Sequence, residues 1–191
     1  MSRNIILCGV GGQGTVLASR LISAAAMKEG IPVQSAETIG MAQRGGSVFS
    51  HIRLGEGVYT PMIGLGQAEL ILGFELGETV RQLPYLKKGG RAIAADKAVM
   101  PVTASLAGGY DPGIMRAYLQ QHVADFTLVP AEKALEELGS PKVLNLLLLG
   151  YASGSLGLSE DSLLAAIREN VPPKFLELNL AAFSFAAREE K

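Results

Sequence analysis

Two short stretches hold the residues best suited to chemistry. The first is Gly9-Val10-Gly11-Gly12-Gln13-Gly14, followed by Thr15. Its glycines satisfy the GxGxxG spacing at 9, 11 and 14, between an apolar run and a helical pattern. Small residues let a backbone turn tightly and approach a ligand, and the helix behind them offers unpaired N–H groups to an anion. Gln13 and Thr15 add polar side chains to the loop. The second stretch is Arg44-Gly45-Gly46-Ser47. Arginine presents a planar fork for a carboxylate or phosphate, and the two glycines bare the backbone beside it. Glu37 stands 23 residues after Gly14, where the ribose-binding acid of a dinucleotide site is sought. On these residues alone a nicotinamide- or flavin-binding oxidoreductase is open. So is a plainer reading, in which the glycines serve close packing and Arg44 pairs with a local acid such as Glu37.

The remaining candidates are few. Cys8 is the one cysteine, which excludes an internal disulfide and an iron–sulfur cluster held by this chain alone, since a cluster needs about four thiolates. Placed mid-strand, it reads as a small buried thiol. His51 and His122 fit no metal-ligand spacing. His51 reads as a structural histidine rather than an acid–base group, because no partner accompanies it. Arg53 continues its face, either widening a cationic rim or forming a surface ion pair. Asn145 interrupts a leucine-rich helix and needs a hydrogen-bond partner in the glycine loop, a ligand or a backbone carbonyl.

The elements that must position these residues follow from periodicity. NIILCGV is a continuous apolar run, as in a strand buried on both faces. TVLASRLISAAAMKEG carries helical spacing and stops at Gly30, and PVQSAET reads as a second strand. Together they predict a parallel βαβ unit. SVFSHIRLG is a strand, and GEGVYTPMIGLGQA a turn with a short strand. ELILGFE is a buried strand, and ETVRQLPYL a helix ended by a turn at KKGG. RAIAAD is another strand, then an irregular excursion leads to IMRAYLQQHV, a helix capped by Asp111 with Pro112 in its first turn. DFTLVPA is the last strand. From 131 onward the pattern is helical only, with Ser159 starting one helix and Pro172-Pro173 separating the last two. The VLNLLLLGYA helix is apolar nearly all round, so it is central to the domain or buried by a partner. The expected fold is α/β: a three-layer, mostly parallel sheet with a Rossmann-like βαβ start and a C-terminal helical segment. Residues 1–191 form one domain, with the sheet in 1–130 and the helical segment in 131–191 on the same core.

Bulk properties narrow the function classes. The chain has 191 residues, 48% hydrophobic and 18% charged, with net charge −1. That balance predicts no attraction to nucleic acid or an anionic membrane, and the lack of tryptophan makes poor base-stacking platforms. The first apolar run is too short for a signal peptide and no stretch reaches the roughly 18 residues of a spanning helix. The expected location is cytoplasmic.

GVGGQG near the N-terminus combined with QRGGSVFSHIRLG at 43–55 resembles the gamma-type component of the 2-oxoacid:ferredoxin oxidoreductases. The ELILGFE strand at 69–75 and the KVLNLLLLG helix at 142–150 extend the likeness over most of the chain. GMAQRGG tilts it toward the small (beta) subunit of the indolepyruvate branch. The resemblance implies decarboxylation of a 2-oxoacid on thiamine diphosphate, electron transfer through iron–sulfur clusters to ferredoxin, and release of an acyl-CoA. This chain lacks a GDG…N diphosphate–magnesium motif and the cluster cysteines. Thiamine diphosphate, magnesium and the clusters are therefore expected on a larger partner subunit, which also meets ferredoxin, and this chain is expected to be inactive alone. The resemblance places Gly9, Gly11, Gly12, Gln13, Gly14, Thr15, Arg44, Gly45, Gly46 and Ser47 at a junction with that partner or with coenzyme A.

Overall fold

The apolar run at the N-terminus forms β1 (Arg3–Val10), buried from Ile5 onward because helices cover both of its faces. The computed structural model describes residues 2–38, 46–101, 104 and 109–189. After β1 come α1 (Thr15–Lys28), β2 (Val33–Thr38), β3 (Ser47–Leu54), β4 (Ala68–Gly73), α2 (Leu76–Gln82), β5 (Leu86–Ala95), α3 (Pro112–His122) and β6 (Asp125–Val129). The helical segment follows as α4 (Ala131–Glu137), α5 (Leu144–Ala152), α6 (Glu160–Asn170) and α7 (Pro173–Glu189). The sheet order is β2-β3-β1-β4-β5-β6. β1, β4, β5 and β6 pair in parallel, while β3 runs antiparallel to both β1 and β2.

The expected βαβ unit is corrected here. β1 and β2 are parallel, but they are not neighbours, because β3 lies between them. Its backbone N–H and C=O groups pair with β1 on one side and β2 on the other, which local pattern cannot reveal. The short strand expected within 55–68 is also absent: residues 55–67 are irregular. The KKGG turn is instead a bulge inside β5. Leu86 already pairs with Ala68, and the ladder resumes at Leu70 with Arg91. Lys87 bonds Glu69 at 3.0 Å across the bulge, and Gly89 takes a φ of 74° there.

Alternation along the strands sorts the core into two sides. Ile5, Leu7, Leu70, Leu72 and Ile93 pack with the residues of α1, α5, α6 and α7. Ile6, Cys8, Ile71 and Ala92 point the other way, toward Ile63, Val123 and the side of α2 and α3. Helix α5 is central: every residue from Leu144 to Gly150 is buried. The caps read from sequence are present. Asp111 accepts from the backbone of Gly113 at 2.7 Å, and Ser159 accepts from that of Ser162 at 3.2 Å. Among the described residues no helix is long and apolar enough to cross a membrane.

Candidate functional site

The two motifs meet at the carboxyl end of β1. In the β1–β3 register Val10 faces Ser47 and Gly9 faces Val48, and the Gly11 amide donates to the Gly46 carbonyl at 2.9 Å. Arg44 and Gly45 lie outside the described residues.

The loop residues divide by role. A Cβ at Gly9 would lie 2.6 Å from Gln13 Oε1 and 2.8 Å from Phe74 Cβ, so Gly9 allows close packing. Gly14 caps α1 with φ 85°, and a Cβ there would sit 2.7 Å from Asn145 Nδ2. Gly12 differs. Its φ is 100°, and a Cβ would meet nothing within 4 Å. Among the described residues, its surroundings are open. Gln13 braces the loop: its Oε1 accepts from the Val10 amide at 2.7 Å and one N–H of its Nε2 donates to the Phe74 carbonyl at 3.1 Å. Thr15 is buried, in the wall of a crevice of about 410 Å³. Gly11, Gly12, Gly14 and Glu37 also line it. Asn145 supports Gly14 from below and keeps its Oδ1 buried without a hydrogen bond.

Glu37 reaches the crevice from a strand one place too far along the sheet for a dinucleotide site. In that fold the acid stands on the strand beside β1; here β3 intervenes, adding about 4.8 Å of strand spacing.

The opposite face of the same edge is acidic and buried. Glu75, 1% exposed, caps α2. Its Oε2 accepts from the Glu78 amide at 2.8 Å, and its Oε1 accepts from the Val99 amide at 3.1 Å and from the Tyr110 hydroxyl. Burial and the adjoining Glu75 carboxylate push the Tyr110 hydroxyl's pKa up. Glu78, 5% exposed, accepts from Ser47 Oγ at 2.5 Å. Cys8 lies wholly buried beside them, its pKa raised chiefly by desolvation. Sequence reasoning passed over Glu75 and Glu78. The signal was present as Glu-x-x-Glu after an apolar run, a spacing that places a cap and a first-turn acid.

His51 and Arg53 are staples. His51 Nδ1 accepts from the Ile63 amide at 3.2 Å, with Phe49 and Tyr85 edge-on to its ring. Arg53 Nη1 donates to the carbonyls of Thr60 and Met62, and its Nε to Asn4 Oδ1. Together they hold the irregular 55–67 segment on β3. Burial lowers the pKa of His51. Below about pH 6.5 the unfolded chain takes a proton that the folded chain resists, so stability falls as pH drops through that range. His51→Gln keeps an acceptor and cannot titrate. It is expected to flatten this part of the acid-side loss, measured as urea midpoints at about pH 7.5 and about pH 5.5. An unchanged slope would remove His51 as its source.

Two wider hollows hold no motif residue. One, of about 590 Å³, opens between α3 and α4 beside Asp96 and Lys97. The other, of about 660 Å³, flanks Lys87 and Lys88. Among the described residues no group of three or more His, Cys, Asp or Glu side chains could hold a metal ion.

Residues 4–189 match the sequence profile described as pyruvate ferredoxin/flavodoxin oxidoreductase. The indolepyruvate oxidoreductase subunit IorB of Thermococcus kodakarensis is 37% identical over 98% of this chain and 96% of its own. The pyruvate synthase subunit PorC of Methanothermobacter marburgensis is 25% identical over 96% and 94%. In fold, the chain resembles the keto/oxoacid ferredoxin oxidoreductase gamma subunit of Geobacter sulfurreducens, with TM-score 0.71 and 23% identity over 98% and 97% of the two chains. It also resembles part of the 2-oxoglutarate:ferredoxin oxidoreductase of Magnetococcus marinus, a structure with coenzyme A and succinyl-CoA bound. That match has TM-score 0.75 and 20% identity, and covers 98% of this chain and 30% of the other.

Proposed function

Because the chain belongs to the pyruvate ferredoxin/flavodoxin oxidoreductase family, we infer that it is the small subunit of an indolepyruvate ferredoxin oxidoreductase. The observation that carries this reading is the near full-length identity to IorB, 37% against 25% and 30% for two PorC relatives. In the proposed reaction an aryl-pyruvate loses carbon dioxide, its acyl group passes to coenzyme A, and two electrons pass to ferredoxin. Thiamine diphosphate with magnesium would supply the decarboxylation and iron–sulfur clusters the electron relay. We place these groups on a larger partner subunit. The one cysteine here is sealed in β1 and cannot reach a cluster.

The role of this chain is then to build one wall of the junction. Gly12 offers open backbone at the α1 N-terminus, where an anion is favoured. Gly11 and Gly46 lock the two motif segments to each other. Arg44, two residues before Gly46, supplies the cation, against either a phosphate of coenzyme A or a partner carboxylate. Gly9, Gln13 and Gly14 keep the loop in shape, with Thr15, Gly45 and Ser47 completing the edge.

The test is reconstitution. The pure chain is expected to reduce neither ferredoxin nor a viologen with indolepyruvate, and adding the larger subunit is expected to start turnover. Arg44→Ala is expected to melt like the parent chain yet cost the assembled enzyme about thirtyfold or more, the equivalent of about 2 kcal/mol upward. That loss falls on the apparent KM for coenzyme A if Arg44 meets the coenzyme, or on the subunit Kd if it meets the partner. Turnover by the pure chain, or an Arg44→Ala enzyme indistinguishable from the parent, would overturn the reading.

A further inference from the structure

β2 ends the sheet, and its outer edge pairs with no strand among the described residues. The Gly55 amide donates to the Pro32 carbonyl at 2.8 Å. That bond makes 32 and 55, one step beyond the Val33–Leu54 partners, a hydrogen-bonded pair. Such pairs alternate along an antiparallel ladder. Gln34, Ala36 and Thr38 therefore turn their N–H and C=O groups toward β3, and Val33, Ser35 and Glu37 turn theirs outward. Folded proteins blunt an open edge with lysine, proline or a bulge. Val33–Thr38 holds no proline and no basic residue, and its register with β3 is unbroken. Gln34, Ser35 and Thr38 are exposed.

The outward groups are symmetric about Ser35, and this selects the occupant. A second copy of β2 can lie alongside, antiparallel, with its Ser35 opposite this one. Val33 then faces the second copy's Glu37, and Glu37 its Val33, so every outward N–H and C=O of the strand finds a partner. Within Val33–Thr38 any other two-fold register leaves an outward residue unpaired. The side chains agree with this register. Gln34 stands opposite Ala36, and the two serine hydroxyls meet. Glu37, the one charge of the strand, lies about 13 Å from its own copy, at about 3.4 Å per residue. The flank fits as well. Val33 and Glu37 lie on the α1 side of the sheet. On α1, Val16 and Met27 are 39% and 63% exposed. They stand about three turns apart on one helix face, and Val16 lines the same crevice as Glu37. Lys28, bound to Glu169 at 2.6 Å, ties a different side of the helix to α6. The exposed apolar strip thus borders the open edge, where a second α1 would meet it.

We propose that β2 is a self-pairing edge: two copies of this chain join antiparallel about Ser35, fusing two six-stranded sheets into one. The contact is isologous, the same patch on both copies. The assembled enzyme then contains two copies of this chain, whichever 2-oxoacid it takes.

Sedimentation equilibrium of the full chain, and of the enzyme reconstituted with its larger subunit, reads the number of copies. A dimer is expected for the free chain and two copies in the assembly. Ser35→Pro removes an N–H that β3 does not use, so the sheet of each copy survives while both central hydrogen bonds are lost. The dimer Kd should rise about thirtyfold with the circular dichroism spectrum unchanged. Ser35→Lys and Ser35→Asp each set like charges face to face and should raise the Kd about tenfold or more. Mixing these two variants should restore a dimer with one copy of each, a rescue that requires Ser35 to face Ser35. Amide exchange should slow with rising concentration at Val33, Ser35 and Glu37, and stay constant at Gln34, Ala36 and Thr38. A free chain that stays monomeric, or an assembly with one copy, overturns the proposal. So does a Ser35→Lys chain that dimerises like the parent, or a mixture of the two charged variants that stays monomeric. If Ser35→Pro weakens only the affinity for the larger subunit, a strand of that subunit covers the edge, and the proposal falls as well.

Discussion

Gly150→Val is expected to loosen α7 from the domain and to destabilise the chain by about 3 kcal/mol. Gly150 lies in the buried helix α5, where α7 crosses it. A Cβ there would lie 2.1 Å from the Phe183 carbonyl oxygen and 3.0 Å from its carbon. Those are backbone atoms, so no rotamer change relieves the contact, and α7 must move as a whole. Ala186 Cβ, at 3.3 Å, closes the third side. Helix propensity argues the other way, since alanine is favoured over glycine by about 1 kcal/mol in a helix interior. Gly150→Ala therefore decides the sign: packing predicts a loss, propensity a gain. The check is a urea midpoint that falls without a change in slope. A more stable Gly150→Ala chain would show that α5 and α7 do not sit this close.

Glu75→Ala is expected to cost a similar amount, about 3 kcal/mol, and to loosen the connection between β5 and α3. One carboxylate satisfies the backbone of Glu78, the backbone of Val99 and the hydroxyl of Tyr110. Truncation leaves these donors without their acceptor and removes the cap of α2. Leaving a buried donor unpaired costs about 1–3 kcal/mol, and a lost cap about 1 kcal/mol. Water reaching the half-buried Val99 and Tyr110 offsets part of that sum. Glu75→Gln should cost less, because one acceptor oxygen survives, but its amide group turns a donor toward a donor. The Tyr110 hydroxyl gives a second readout. Its pKa should fall toward the ordinary tyrosine value in Glu75→Ala, read by ultraviolet titration. A tyrosine titration unchanged from the parent would show that Glu75 and Tyr110 are not in contact.

Much of this protein was determined by local sequence. The run NIILCGV could only be a strand covered on both faces, and α5, apolar nearly all round, could only be central or covered by a partner. Asp111 and Ser159 start helices through hydrogen bonds that reach two or three residues along the chain. The GxGGQG loop and the RGGS block were recognisable because their spacing is local, and the resemblance they carry led to the family. Tertiary structure decided what depends on distant partners. β3 enters between β1 and β2 because the backbone of any strand can pair along both of its edges, and only the assembled sheet selects the neighbours and the register. The KKGG segment looks like a turn until Leu86 pairs with Ala68 on a neighbouring strand. Gln13 also has a bracing role that no local pattern shows, between the Val10 amide and the Phe74 carbonyl. Glu78 lies 31 residues from Ser47, and neither position signals the other. Hydrophobic period and capping chemistry are properties of a few consecutive residues. Strand order, and which polar group spends its hydrogen bonds inside the protein, follow from contacts that exist only once the chain has closed on itself.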